Sequence, residues 1–177
     1  MELIFRPATI DDLSDIVRML ADDFLGRQRE IYEEPLPESY INAFRGIEAD
    51  PNIELIVAIS TSSPPYEGGG GSLSPESDSA TEMLTVQSVV GTLQLTCTPS
   101  ISFQGSKRAT VESVRVDEKY RGRGLGRKMM LWAIDRAKQK GCVSMQLTTN
   151  SDRVNAHRFY ERLGFAGTHL GMKLKLK

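Results

Sequence analysis

Three glycines at alternate positions, surrounded by basic side chains, mark the segment in which we expect chemistry. Gly122, Gly124 and Gly126 follow an apolar, β-branched run that ends at Val116. Without a Cβ, glycine lets the backbone approach a bulky anion. A helical pattern that begins at Leu125 offers unpaired N–H groups and the positive end of its dipole. The cations around the turn are Lys119, Arg121, Arg123, Arg127 and Lys128. The segment therefore predicts a phosphate or pyrophosphate site.

The spacing excludes two common phosphate-binding motifs. A P-loop requires Lys followed by Ser or Thr after its last glycine, whereas Arg127 and Lys128 follow Gly126 here. A dinucleotide fingerprint has the spacing Gly-x-Gly-x-x-Gly, whereas these glycines are spaced Gly-x-Gly-x-Gly. On this stretch alone, a basic turn that merely caps a helix remains the alternative.

Hydrophobic periodicity predicts the elements that carry this turn. The predicted strands are 2–6, 53–60, 84–98, 108–116, 143–149 and 172–177. The predicted helices are 10–24, 38–48, 152–163 and the segment from Leu125 to a glycine stop at Gly141. This order predicts a mixed α/β fold, with a central twisted mixed sheet of about six or seven strands and about four helices.

Two segments differ in character from the rest. Residues from about 62 to 83 are rich in Ser, Pro and Gly and bury too little apolar surface to offset the entropy of ordering. We predict a disordered insertion there, in the hairpin between the second and third strands. The tail 172–177 alternates apolar residues with lysine, which predicts a protected edge strand and leaves a homodimer through that strand open.

Composition limits the class of protein. The chain has 177 residues, 40% of them hydrophobic, and a net charge of −1, which predicts one domain over 1–177 and no nucleic-acid partner. No apolar run approaches the length of about 20 residues that spans a membrane, and two cysteines do not form a disulfide framework. We therefore expect a cytoplasmic protein without a membrane partner. His157 and His169 lack supporting ligands at metal spacing, so we expect no metal.

Two motifs in the expected order resemble those of the GNAT acetyltransferase superfamily. Arg121, Gly124 and Gly126 match its motif A, Gln/Arg-x-x-Gly-x-Gly/Ala. About 35 residues later, the stretch from Ala156 to Phe165, AHRFYERLGF, is similar to its motif B, and is nearest to small-amine acetyltransferases such as aminoalkylphosphonate N-acetyltransferases. The resemblance implies the GNAT acyl-CoA N-acyltransferase fold and a turn that holds the pyrophosphate of acetyl-CoA.

The resemblance also implies which residues bind acetyl-CoA. They are Val114, Arg115, Val116, Arg121, Gly122, Arg123, Gly124, Leu125, Gly126, Arg127, Asn150, Asn155, Arg158 and Tyr160. One position departs from the family pattern. Its usual asparagine falls on Arg153, and Asn155 is the substitute we expect for the contact to the pantetheine arm.

Two residues are candidates for moving protons. By its position in motif B, Tyr160 is the expected acid that protonates the departing thiolate; the alternative is a core aromatic. Glu112, two residues before Val114, is the candidate base; the alternative is a surface residue paired with an arginine. Transfer from an amine near pKa 10.4 to a carboxylate near 4.3 is uphill by roughly 8 kcal/mol. Glu112 would therefore need burial, a water relay, or an amine that is already neutral.

The sequence constrains the acceptor substrate less than it constrains the acyl donor. Tyr32 and Glu33 lie on a polar loop that we expect to contact a cationic amine, whereas Arg27 and Arg29 on the same loop would suit an acid or a phosphonate. The leading interpretation is direct acetyl transfer from acetyl-CoA to the primary amine of a small molecule. The alternatives are a protein N-terminal or lysine acetyltransferase, and a non-catalytic sensor of acetyl-CoA.

Overall fold

A central five-stranded sheet organises the chain in the computed structural model, which describes residues 3–22, 26–61 and 87–176. The strands are β1 (Leu3–Pro7), β2 (Ile53–Ser60), β3 (Ser88–Pro99), β4 (Lys107–Val116) and β5 (Cys142–Gln146). The helices are α1 (Leu13–Ala21), α2 (Glu38–Ala49), the single turn α3 (Ser102–Gly105), α4 (Leu125–Gln139) and α5 (Val154–Glu161). The mixed α/β fold is therefore confirmed. The predicted insertion lies outside the described residues.

The strands lie in the order β1-β2-β3-β4-β5, and each pair is antiparallel except β4 and β5. A parallel pair needs a crossover, and α4 supplies it. Two layers of helix cover the sheet. On one face α1 and α2 bury Val17 and Phe44, and on the other α4 buries Met129 and Met130 against β3 and β4. No helix in the described ranges is both long and apolar enough to cross a bilayer.

The entry into α1 shows how local sequence sets one of these layers. Thr9 and Asp12 form a capping box, with the Thr9 N–H donating to Asp12 Oδ2 at 2.7 Å. Arg6 on β1 donates to both oxygens of the same carboxylate, at 2.6 and 2.8 Å. Burial acts to raise the pKa of Asp12, but the bonds from Arg6 and Thr9 outweigh it, so the pKa falls. The charged carboxylate thus ties the end of β1 to the start of α1.

The predicted C-terminal edge strand is wrong. Residues 172–176 form no strand, and the apolar side chains at alternate positions are exposed. The fractions are 89% for Leu170, 91% for Met172, 84% for Leu174 and 87% for Leu176. Alternation is only half of what a strand requires, because its N–H and C=O groups also need a neighbouring strand edge. The described sheet therefore has five strands and not the six or seven expected.

A glycine in β3 gives a test of how tightly this sheet packs on α4. A Cβ built on Gly91 would lie 2.6 Å from Met129 Sδ and 3.0 Å from the Arg115 carbonyl oxygen. Because the carbonyl belongs to the backbone of β4, it cannot move aside cheaply. We expect Gly91→Ala to lower the free energy of unfolding by about 1–3 kcal/mol in urea denaturation.

The matched control is Gly46→Ala within α2, where a Cβ meets nothing within 4 Å. Alanine favours a helix over glycine, so this variant should be more stable by about 0.5–1 kcal/mol. A Gly91→Ala protein as stable as the wild type would contradict the close packing of β3 against α4.

Candidate active site

The site begins where two parallel strands separate. Pairing of β4 with β5 runs from Lys107 and Cys142 to Thr110 and Gln146, and stops there, although β4 continues to Val116. The predicted strand 143–149 is correspondingly shorter, because residues after Gln146 have no partner on β4. Beyond Thr110 the edge of β4 that faces β5 is thus released from the ladder, and its peptide groups can bind a ligand instead.

A bulge in β4 lies at this point of separation. Gln94 pairs with Glu112 and Thr92 with Arg115, so Ser113 and Val114 together oppose a single residue of β3. Ser113 takes a left-handed φ of 53°, which is uncommon for a residue other than glycine. Such bulges re-aim the side chains that follow them, and here the bulge sets which face of the sheet Arg115 occupies.

A cavity of about 500 Å³ lies against the part of β4 that has separated from β5. One wall is Val114, Arg115 and Val116 of β4, and the other is formed by residues 152–156 at the start of α5. Arg121 also lines it. The expected cofactor-binding residues Val114 to Val116, Arg121 and Asn155 are thus brought to one cavity, together with Arg153.

The glycine turn lies at the N-terminus of α4, as predicted. Gly122 and Gly124 both have a φ of 75°, and Gly124 is the residue that caps the helix. A Cβ on either would meet no atom within 4 Å, so the backbone is open to an approaching group. Gly126 is different, because a Cβ there would lie 3.5 Å from Phe159 Cζ. That distance is an ordinary van der Waals contact, so α4 and α5 pack against each other at this position.

Ion pairs hold the turn in position. The Arg121 guanidinium pairs with Asp22 and also donates to the Val116 carbonyl oxygen at 3.1 Å. The buried Asp117 carboxylate accepts from the Lys119 N–H at 3.0 Å and pairs with Arg18 at 2.8 Å. Two ion pairs thus join the start of the turn to α1. One involves Arg18 within the helix, and the other involves Asp22 at its C-terminal end.

Tyr160 lies on α5 among aromatic rings. Its ring meets Phe159 edge-on, with centroids 5.1 Å apart, and Phe165 likewise at 5.9 Å. Burial raises the pKa of the Tyr160 phenol, and the charges of Arg115 and Arg153 act in the opposite direction with a smaller effect. The phenol therefore stays protonated at neutral pH, as an acid in this position must.

Other candidate residues are not brought to this cavity. Glu112 is exposed on β4. Tyr32 lines a second cavity of about 330 Å³ beside Arg18 and Asp117, and Glu33 is exposed on the same loop as Tyr32. The Asn150 side chain accepts from the Asp152 N–H at 2.8 Å and so shapes the turn before α5.

Four further residues lie around the glycine turn and on α5. The Arg123, Arg127 and Arg158 side chains are exposed, whereas Leu125 is 2% exposed. The buried Leu125 side chain belongs to the core, so only its backbone N–H is available to a ligand. The three arginines stay predictions as cofactor contacts.

Sequence reasoning missed the residues that support the site. Asp117 followed by a helical turn is an N-cap pattern that could have been noticed. The partnership of Asp22 with Arg121, across 99 positions of the chain, has no local signal. The left-handed Ser113 likewise has none, because serine gives no indication of that backbone conformation.

Comparisons with known proteins agree with this geometry. Residues 73–165, just over half of the chain, match the Acetyltransferase (GNAT) family. The chain is 32% identical over 88 residues to glucosamine 6-phosphate N-acetyltransferase from Trypanosoma brucei brucei, a match that covers 50% of this chain and 58% of that relative. It is 41% identical over 49 residues to aminoalkylphosphonate N-acetyltransferase from Salmonella typhimurium, covering 28% of this chain and 32% of that relative.

These two matches thus span less than two thirds of each relative's length. A solved structure is similar over almost the whole chain. It is described as a transcriptional regulator from Bacillus halodurans C-125, with 44% identity, a TM-score of 0.80, and coverage of 99% of this chain and 100% of that one. The family match covers more than half of the chain, and the structure has two parallel strands that separate, together with a glycine turn. The chain therefore belongs to the GNAT acetyltransferase family.

Proposed function

We propose that the chain is an acetyl-CoA-dependent N-acetyltransferase that acts directly on the primary amine of a small molecule. One observation carries the proposal. The separation of β4 from β5 beyond Thr110 leaves a cavity between β4 and residues 152–156, and Arg121, which immediately precedes the glycine turn, lines it as well. An elongated acyl carrier with a diphosphate fits that arrangement.

The residues of the glycine turn and those that line the cavity fit acetyl-CoA. The open backbone at Gly122 and Gly124, with the first N–H groups of α4, suits a diphosphate. The released edge of β4 at Val114 and Val116 suits the amides of a pantetheine arm, with Asn155 on the opposite wall. When bound, acetyl-CoA supplies an acetyl group activated as a thioester.

The protein binds and orients the two substrates and moves two protons. A bond forms between the amine nitrogen and the acetyl carbon, the carbon–sulfur bond breaks, the amine loses a proton and the sulfur gains one. The backbone N–H groups of Val114 to Val116 are the donors we assign to the thioester oxygen. Tyr160 is the acid we assign to the sulfur, because burial keeps its phenol protonated.

Glu112 is the base that we propose for the amine proton. It is exposed on β4, so burial does not assist it, and two routes are left. A water can carry the proton to Glu112, or the enzyme binds the roughly 0.1% of an alkyl amine that is neutral at pH 7. Both routes predict that activity rises with pH.

Relatives favour a small molecule as the acceptor. The curated relatives are named for amines of sugar phosphate and aminoalkylphosphonate type, and the cavity of about 500 Å³ is of a size that suits small ligands. An acetyltransferase of protein amines is the second candidate, and a sensor without turnover is the third.

We also propose a cytoplasmic location, with which the free thiols Cys97 and Cys142 agree. A homodimer stays a prediction, and the strand through which we expected it is not formed.

The test measures release of the free thiol from acetyl-CoA in the presence of a panel of small amines and, separately, of peptides with free N-termini or lysines. We expect thiol release that depends on a small amine, with a stoichiometric N-acetylated product by mass spectrometry. Faster turnover of peptides than of every small amine would favour the second candidate. Tight binding of acetyl-CoA without turnover of any amine would favour the sensor.

A further inference from the structure

Two arginines line the cavity from opposite walls. Arg115 is on β4 and Arg153 immediately precedes α5, and both line the cavity of about 500 Å³. Both side chains are partly buried. Each charge also reaches the phenol of Tyr160, since both act to lower its pKa. The two guanidiniums therefore line one cavity and lie within electrostatic range of the residue that we assign as the acid.

The bulge in β4 explains the position of Arg115. Val114 and Val116 pack against the core beneath α4, so Arg115 between them is on the other face of the sheet. That face carries α1 and α2. Arg115 Nη1 donates to the Val114 carbonyl oxygen at 3.0 Å, which holds the side chain against its own strand. Without the extra residue at the bulge, Arg115 would point into the core under α4.

The two arginines are not needed to bind the diphosphate of the acyl carrier. The glycine turn and the α4 N-terminus already provide N–H groups for it, and Arg121 lies nearer to that turn. Guanidinium is the side chain best matched to a carboxylate or phosphonate, which it binds through two parallel hydrogen bonds. The sequence has arginine at 153, where the family pattern has asparagine, which adds a positive charge to the wall of the cavity.

We propose that the acceptor amine carries an acidic group, a carboxylate or phosphonate a few bonds from its nitrogen, which Arg115 and Arg153 bind together. The proposal rests on the proposed function and names the substrate class of the same site.

The first experiment compares matched amines with the wild-type enzyme. We expect kcat/KM for 2-aminoethylphosphonate or β-alanine to exceed that for propylamine and 2-aminoethanol by at least 100-fold. The two acids distinguish phosphonate from carboxylate. Arg115→Gln and Arg153→Gln should each reduce this preference, the ratio of kcat/KM for the acid to kcat/KM for the neutral amine, at least tenfold, and Arg153→Lys should restore part of it. Arg162→Gln, an exposed arginine one turn beyond Arg158, is the matched control.

A second experiment does not depend on turnover. The protein saturated with the free thiol form of CoA is titrated calorimetrically with 2-aminoethylphosphonate and β-alanine. We expect at least one of the acids to bind, and its binding to weaken at least tenfold in both glutamine variants but not in Arg162→Gln. If no amine is acetylated and this binding persists, the proposed function fails and the acid site stands.

Three results would overturn the proposal. The first is equal turnover of acidic and neutral amines. The second is a loss in the glutamine variants that is the same for every amine, which would assign the arginines to the acyl carrier. The third is a preference for succinyl-CoA over acetyl-CoA that disappears in the variants, which would place the acid on the acyl group.

Discussion

A Gly124→Asp substitution is expected to weaken acetyl-CoA binding by at least 100-fold, which corresponds to about 2.7 kcal/mol. Gly124 caps α4 with φ 75° and ψ 7°, and the space where a Cβ would lie is open. An added carboxylate would occupy that space and oppose a diphosphate at the end of the helix where anions are otherwise favoured. The measurement is isothermal titration with acetyl-CoA and with the free thiol.

The matched control for this prediction is Gly141→Asp at the other end of α4. Gly141 has a φ of 77° and the same open surroundings, so both variants lose about 1–2 kcal/mol of stability through left-handed backbone. Only Gly124 is in the proposed site. Gly141→Asp should melt somewhat below Gly124→Asp, because a carboxylate is unfavourable at the C-terminal end of a helix, and it should bind acetyl-CoA like the wild type. Equal affinity in all three proteins would remove the diphosphate from the glycine turn.

Tyr160→Phe is expected to lower kcat by about 100-fold with little change in KM for acetyl-CoA. General acids contribute about 10²- to 10⁴-fold, and a thiolate with a solution pKa near 8.5 departs readily enough to place this case at the low end. The phenylalanine keeps the edge-on contacts with Phe159 and Phe165, so the melting temperature should hardly change.

The pH profile separates an acid from a packing residue at position 160. Because burial raises the pKa of Tyr160 above its ordinary value, the wild-type phenol stays protonated through the neutral and mildly alkaline range. We expect kcat to fall only above about pH 10, and this fall to be absent in Tyr160→Phe. A variant with wild-type kcat and an unchanged profile would exclude Tyr160 as the acid.

Elements with strong local signals were predicted closely. The predicted helix after the glycines is α4, with Gly124 at its start and Gly141 just beyond its end, because both glycines take the left-handed conformation that few other residues adopt. The ending of α5 follows the same logic. The Phe165 N–H donates to the Tyr160 carbonyl oxygen at 3.1 Å around Gly164, which has a left-handed φ of 92° and so forms a Schellman motif.

Predictions that needed a distant partner were less successful. The tail 172–176 has a strand pattern but no neighbour to pair with, and residues 147–149 lie outside β5 because β4 has already diverged. Tyr32 and Glu33 were chosen from a polar loop, and the loop places Tyr32 at a second cavity. None of these outcomes depends on residues close in sequence.

The order of elements, the glycine turn and the helix ends could be read from the chain, because each depends on backbone freedom or periodicity within a few residues, whereas Tyr160 and Arg121 were named from the resemblance to the family motifs. The separation of β4 from β5, the bulge at Ser113 and the presence of Arg115 and Arg153 in one cavity could not be read from it. They depend on which strands pair and where pairing stops, and those are contacts between segments far apart in sequence. The site's components are therefore local, whereas their arrangement around a cavity is a property of the folded sheet.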